Sequence, residues 1–151
     1  NTYIRLNKAL RGFGGIKLNR ELKAMQKVLD DALSKLPISR FNKQVLQRSV
    51  YFTEEEIKRL FRVGHDFVEK GFFSTTYSTK ALHAWLRANP ADNVIFKLTG
   101  KNGKLIEEAA FLSEAEVLFK SGTKFVVKSV KEIQHPLDRT KKIIEIILLE
   151  K

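Results

Sequence analysis

Residues 116–130 read Glu116-Val117-Leu118-Phe119-Lys120-Ser121-Gly122-Thr123-Lys124-Phe125-Val126-Val127-Lys128-Ser129-Val130. Two runs of β-branched and aromatic residues flank a Ser-Gly break, the pattern of short strands joined by a turn. Working outward, Val94 to Leu98 precedes them across Gly100 to Gly103, and Lys142 to Leu149 follows across Pro136 to Thr140. The second half of the chain is therefore predicted to form successive antiparallel strands.

The first half has a different period. From Leu18 the apolar residues fall at Leu22, Met25, Leu29, Ala32, Leu33 and Leu36, the three-and-four spacing of a helical face, and Pro37 ends the run. A shorter helix over Thr2 to Arg11 precedes it, separated by Gly12, Gly14 and Gly15, so the two are expected to pair as a helical hairpin. After an extended segment from Gln44 to Phe52, Thr53 and Glu56 have capping-box spacing ahead of Ile57, Leu60 and Phe61. A further helix starts near Ser78 or Thr79, carries Leu82, Trp85 and Leu86, and stops at Asn89-Pro90. Helices followed by a strand-rich remainder predict an α+β fold in one unit spanning 1–151, without a linker or internal repeat.

Composition narrows the classes. Hydrophobic residues are 43% of the 151 and charged residues 30%, which excludes a disordered or low-complexity chain. No apolar run is long enough for a membrane-spanning helix; the longest, Ile143 to Leu149, is interrupted by Glu145. Cysteine is absent, removing disulfides, zinc thiolates and thiol nucleophiles together. His65, His83 and His135 are too dispersed for a local ligand pair, so no metal is expected. Lys+Arg 28 against Asp+Glu 17 gives a net charge of +11, which steers the protein toward anionic partners, but the lysines are scattered as on a solvated face. The chain begins at Asn1 rather than Met, which suggests a domain cut from a longer polypeptide.

Three segments carry the residues of interest. The first, Val45-Leu46-Gln47-Arg48-Ser49-Val50, sets an arginine inside an apolar strand. The second is Gly71-Phe72-Phe73-Ser74-Thr75-Thr76-Tyr77-Ser78-Thr79, where hydroxyls follow two aromatics. In the third, Phe111-Leu112-Ser113-Glu114-Ala115-Glu116-Val117-Leu118-Phe119, two glutamates one residue apart lead into a strand. If the backbone is extended there, the period of two puts both carboxylates on one side, where two close anions suit acid/base or cation-stabilising chemistry. Each segment also has an ordinary reading: a salt-bridged edge arginine, a strand running into a helix cap, a solvated strand entrance.

In that order, Arg, aromatic-Ser-Thr-Thr and Glu-x-Glu resemble the R-S-E class of mono-ADP-ribosyltransferases, which includes bacterial toxins and effectors. The likeness extends over nearly the whole chain, from the Tyr3-to-Gly12 helix through Asn93-Val94-Ile95-Phe96-Lys97 to Gly122-Thr123-Lys124-Phe125. It implies a split β-sandwich with N-terminal helices and NAD+ as co-substrate between the two sheets. Arg48 would pair its guanidinium with an NAD+ phosphate, and Ser49 would offer backbone groups to the nicotinamide carboxamide. Ser74 would hold the catalytic carboxylate, with Thr75 and Thr76 completing the wall; Thr76 departs from the family's usual serine. Glu116 would be the catalytic glutamate, Glu114 would address the acceptor, and Tyr77 or Trp85 would cover the nicotinamide ring.

The resemblance further implies transfer of ADP-ribose to a side chain of a host protein. Glu114 at its position favours arginine as acceptor and leaves threonine open. Actin or a small GTPase would be an ordinary target, reached by a secreted or translocated toxin acting in the host cytoplasm. The rival reading is a non-enzymatic basic module for nucleic acid or an acidic protein surface, which the glutamate pair argues against.

Overall fold

The computed structural model describes residues 2–106 and 115–151. Two helices come first, α1 (Thr2–Arg11) and α2 (Arg20–Ser34), followed by a 3-10 turn at Arg40–Lys43. Next are β1 (Leu46–Val50), α3 (Glu54–Leu60), β2 (Asp66–Glu69), β3 (Phe73–Thr76) and α4 (Thr79–Ala88). The chain continues through β4 (Val94–Thr99), β5 (Lys104–Leu105), β6 (Glu116–Phe119), β7 (Thr123–Gln134) and β8 (Lys142–Glu150). Among the described residues no helix is long and apolar enough to cross a membrane.

Local chemistry sets the helix ends. Gly12 closes α1 at a φ of 77°: its N–H donates to Ala9 and that of Phe13 to Lys8, a left-handed cap that a side chain would strain. The Asn19 side chain accepts from Leu22 N–H to start α2, which ends at Ser34 because Pro37 restricts the residues ahead of it. Thr53 and Glu56 form the expected reciprocal capping box on α3, and the Ser78 hydroxyl accepts from Ala81 N–H to start α4. As expected, α1 and α2 pack together. Leu6, Leu22 and Leu33 share a buried cluster with Phe72 and Leu118, which fixes the hairpin against β3 and β6.

The strands run in the order β2-β7-β8-β4-β1-β3-β6-β5. β1 pairs along its whole length with β4, yet meets β3 only at Gln47 opposite Thr76. A five-stranded part and a three-stranded part therefore join at one residue pair and enclose the main core between them. Phe73 and Phe119 of the smaller part meet Phe96 and Phe125 of the larger at centroid distances of 5.5 to 5.8 Å. Edge-on ring contacts of this kind add to the roughly 1.5–3 kcal/mol from burying each such side chain. This is the expected split α+β sandwich.

The expectation of successive antiparallel strands is corrected. Of the four strands predicted there, β4, β6, β7 and β8, only β7 and β8 pair antiparallel with each other; β4 lies between β1, antiparallel, and β8, parallel, while β6 lies between β3 and β5. β4 is buried on both faces, which suits a central position. The turn after it is pinned elsewhere. The Asn42 side chain bonds both N–H and C=O of Gly103, and a Cβ on Gly100 or Gly103 would lie 2.5–2.6 Å from Asn42 Oδ1. That close approach directs the chain to β5 rather than back along β4. Two short edge strands, β2 and β5, were not anticipated from the sequence.

Candidate active site

The single junction between β1 and β3 brings the three sequence segments together. Pairing of Ser74 with Leu118 and of Thr76 with Glu116 puts Ser74, Thr76, Glu116 and Leu118 on one face of the smaller sheet. On that face the Ser74 hydroxyl donates a hydrogen bond to Glu116 Oε2. The Thr75 hydroxyl donates to Val117 C=O at 2.7 Å on the buried side, and the Thr76 hydroxyl accepts from Ser78 N–H at 3.0 Å, turning the chain into α4. Both threonines are fully buried, so they serve as wall.

Arg48 stands on β1, one residue past the junction. Its guanidinium carbon lies 4.7 Å above the Trp85 ring centroid, a cation-π contact. Among the described residues it has no hydrogen-bond or ion-pair partner, although it is half-buried. Burial, then the charge of Arg11, pull its pKa below the usual arginine value, while Asp92, Glu116 and Tyr3 offset part of that pull. A planar fork of donors without an acceptor among the described residues can seat an anion with paired oxygens. The neighbouring Ser49 turns the other way and donates its hydroxyl to Asp92 at 2.8 Å. Beyond Gln47, no further register pair joins β1 to β3 among the described residues, so that side of β1 is open at Arg48 and Ser49.

Three residues of α1, not singled out in the sequence, complete the surroundings, with Glu69 of β2 as a partner. Tyr3, Asn7 and Arg11 recur every four residues and so share one face of α1. Burial raises the Tyr3 phenol pKa, a hydrogen bond with Asn7 lowers it, and Glu116, Arg11 and Arg48 act on it by charge, which places it beside the site. Arg11 pairs with Glu69 at 2.9 Å and donates to Phe72 C=O at 2.8 Å. The spacing of these residues on α1 was the available signal, hidden in an otherwise ordinary amphipathic helix.

The aromatic candidates have other neighbours. The Tyr77 ring stacks on Phe41 at 3.8 Å, and Trp85 forms the floor under Arg48 while packing with Leu82, Leu86, Ile95 and Ile143. Glu114 lies outside the described residues. Ala115, between it and Glu116, is left-handed at a φ of 68°, and β6 spans Glu116–Phe119. Among the described residues no group of three or more His, Asp or Glu is arranged to hold a metal ion.

At the split between the two sheets the structure thus holds a serine-bonded glutamate, able to stabilise developing positive charge, and an arginine without a hydrogen-bond or ion-pair partner among the described residues, able to hold an anion. The chain belongs to the ADP-ribosyltransferase exoenzyme family, whose match spans residues 1–151. The family is one of NAD+-dependent mono-ADP-ribosyltransferases, with NAD+ as co-substrate. No curated protein matches the chain in sequence.

Solved structures share the fold. The type III effector XopAI from Xanthomonas axonopodis pv. citri is 21% identical, with a TM-score of 0.67 over 85% of this chain and 49% of its own. Exoenzyme S from Pseudomonas aeruginosa, solved with human 14-3-3 protein beta and carba-NAD, is 18% identical with a TM-score of 0.71 over 98% of this chain and 66% of its own. The ADP-ribosyltransferase Vis in complex with agmatine is 21% identical with a TM-score of 0.74 over 100% of this chain and 69% of its own. The chain thus spans about half of XopAI and just under two thirds of Exoenzyme S.

Proposed function

We propose that residues 1–151 form a catalytic unit that transfers ADP-ribose from NAD+ to an arginine side chain of a host protein. The observation that carries this reading is the Ser74 hydroxyl bonded to Glu116 beside the Arg48 fork, which has no hydrogen-bond or ion-pair partner among the described residues. Arg48 and Arg11 seat the NAD+ diphosphate, and Ser49 offers its backbone to the carboxamide. Glu116, held in place by Ser74, faces the nicotinamide ribose. As the bond between ribose and nicotinamide nitrogen breaks, nicotinamide leaves with the electron pair and the sugar becomes oxocarbenium-like. The Glu116 carboxylate stabilises that positive charge where it develops. A guanidino nitrogen of the acceptor then bonds to the ribose carbon and releases a proton. Thr75 and Thr76 hold the strand wall, and Glu114 addresses the acceptor.

Agmatine, found with Vis, is a guanidine, which supports a guanidino acceptor here. Delivery into a host cell is supported by the description of XopAI as a type III effector, and actin or a small GTPase is the target class proposed with it. The test is to incubate the domain with NAD+ and agmatine. Nicotinamide release coupled to formation of ADP-ribosyl-agmatine is expected. Glu116→Gln should reduce both at least about a hundred-fold, the scale of losing one preorganised electrostatic group. Undiminished release by that variant would remove Glu116 from the chemistry.

A further inference from the structure

Glu69 is a buried carboxylate that the reaction itself does not use, and its surroundings are unusually complete. It is 9% exposed at the end of β2. One oxygen pairs with Arg11 at 2.9 Å, and the other accepts from Gly71 N–H at 3.3 Å. The same Arg11 nitrogen donates to Phe72 C=O at 2.8 Å, while Asn7, one turn earlier on α1, accepts from Phe72 N–H at 2.8 Å. The helix thus grips both sides of Phe72, two residues before Ser74. Gly71 is required by the fit: a Cβ there would lie 2.8 Å from Arg11 Nε and 2.9 Å from Asn7 Oδ1.

The grip has an electrostatic side. Arg11 stands near enough to Arg48 that its charge is second only to burial in lowering the Arg48 pKa. Two neighbouring guanidinium groups repel, and an uncompensated Arg11 gains by swinging toward solvent. Its Nε is buried with no hydrogen-bond partner among the described residues, a cost that the Glu69 ion pair helps to offset. Burial holds the Glu69 pKa above the usual glutamate value, and Arg11 foremost, then the Gly71 N–H and Arg48, offset part of that rise.

We infer that Glu69 is a positioning residue for NAD+ binding: its carboxylate fixes Arg11 beside Arg48, so that both arginines meet one diphosphate without first being rearranged. This rests on the diphosphate seat proposed above. Glu69 acts through Arg11, to which it is bonded, so its contribution belongs to co-substrate binding rather than to the chemical step.

Glu69→Gln keeps the shape and can still accept from Gly71, but removes the charge. The expected result is NAD+ affinity weakened roughly ten-fold by calorimetry, KM for NAD+ raised by the same factor, and kcat within about two-fold of wild type. A merely structural role would lower the melting temperature without that split. In an Arg11→Lys background the same substitution is expected to change affinity by less than about two-fold, because the group it acts through is gone. Should Glu69→Gln not fold, Gly71→Ala displaces Arg11 sterically with Glu69 intact and is expected to raise KM while sparing kcat. Wild-type binding of NAD+ with equal binding by a folded Glu69→Gln, or an unchanged KM in Gly71→Ala, overturns the inference and leaves the transferase reading standing. A wild-type domain that does not bind NAD+ takes down the diphosphate seat and the inference together.

Discussion

Replacing Arg48 by lysine keeps one positive charge on β1 and removes the planar fork. In the protein the guanidinium rests on Trp85 at 4.7 Å and has no hydrogen-bond or ion-pair partner among the described residues. Its donors are therefore available to a ligand, and the substitution should cost binding far more than folding. Of two parallel charge-assisted bonds to a phosphate, an ammonium retains one. The loss of the other is about 1.5–3 kcal/mol. The stronger hydration of an ammonium in a half-buried position adds to the loss. A total near 2 kcal/mol corresponds to roughly thirty-fold weaker NAD+ binding. Folding loses only part of a cation-π contact, about 0.5–1 kcal/mol. Calorimetric titration of NAD+ into wild type and Arg48→Lys, beside thermal unfolding of each, measures both quantities. An affinity within about two-fold of wild type in a folded variant would refute the assignment of Arg48 to the diphosphate.

Two further predictions use other parts of the molecule. Ser74→Ala removes the hydroxyl that orients Glu116; kcat is expected to fall about ten-fold or more with NAD+ affinity little changed, and an equal loss in both would mean that Ser74 acts on binding instead. Glu145, buried on β8, pairs with Lys97 at 3.0 Å and Lys131 at 3.5 Å. Burial works to raise its pKa, but the hydrogen bond and charge of Lys97, then Lys131, outweigh it and hold the carboxyl below the usual glutamate value. A depressed folded pKa gives stability that is present above the unfolded value and lost as pH falls through the folded one. Glu145→Gln should therefore cost about 1–2 kcal/mol near neutral pH, with the difference from wild type shrinking below about pH 4. A difference that stays constant to pH 3 in denaturant titrations would contradict the ion-pair account.

Periodicity and capping made the helices legible. The apolar stripe of α2, the Thr53–Glu56 box and the Ser78 cap each act within a few residues, where sequence spacing equals spatial proximity. Strand identity was legible for β4, β6, β7 and β8, but strand order was not, because pairing β4 parallel with β8 joins segments some fifty residues apart. The edge strand Asp66–Glu69 is four residues long with only Phe67 and Val68 to mark it, and β5 has two residues. Arg48, Ser74 and Glu116 were singled out through the order of their motifs, and the structure adds the register that brings their strands together. Asn7, Arg11 and Glu69 escaped notice because a polar residue on a helix or edge strand is ordinarily solvated. Only the close packing of α1 on Phe72 gives them partners.

The central claim is that Glu116 drives transfer of ADP-ribose to a protein. Its most direct test is incubation of the domain with labelled NAD+ and a eukaryotic cell lysate, beside Glu116→Gln at equal concentration. The account predicts discrete labelled proteins in the wild-type reaction that vanish with the variant, with the modification on arginine by mass spectrometry. Label that persists without Glu116, or an absence of both label and nicotinamide release in the wild type, would contradict it.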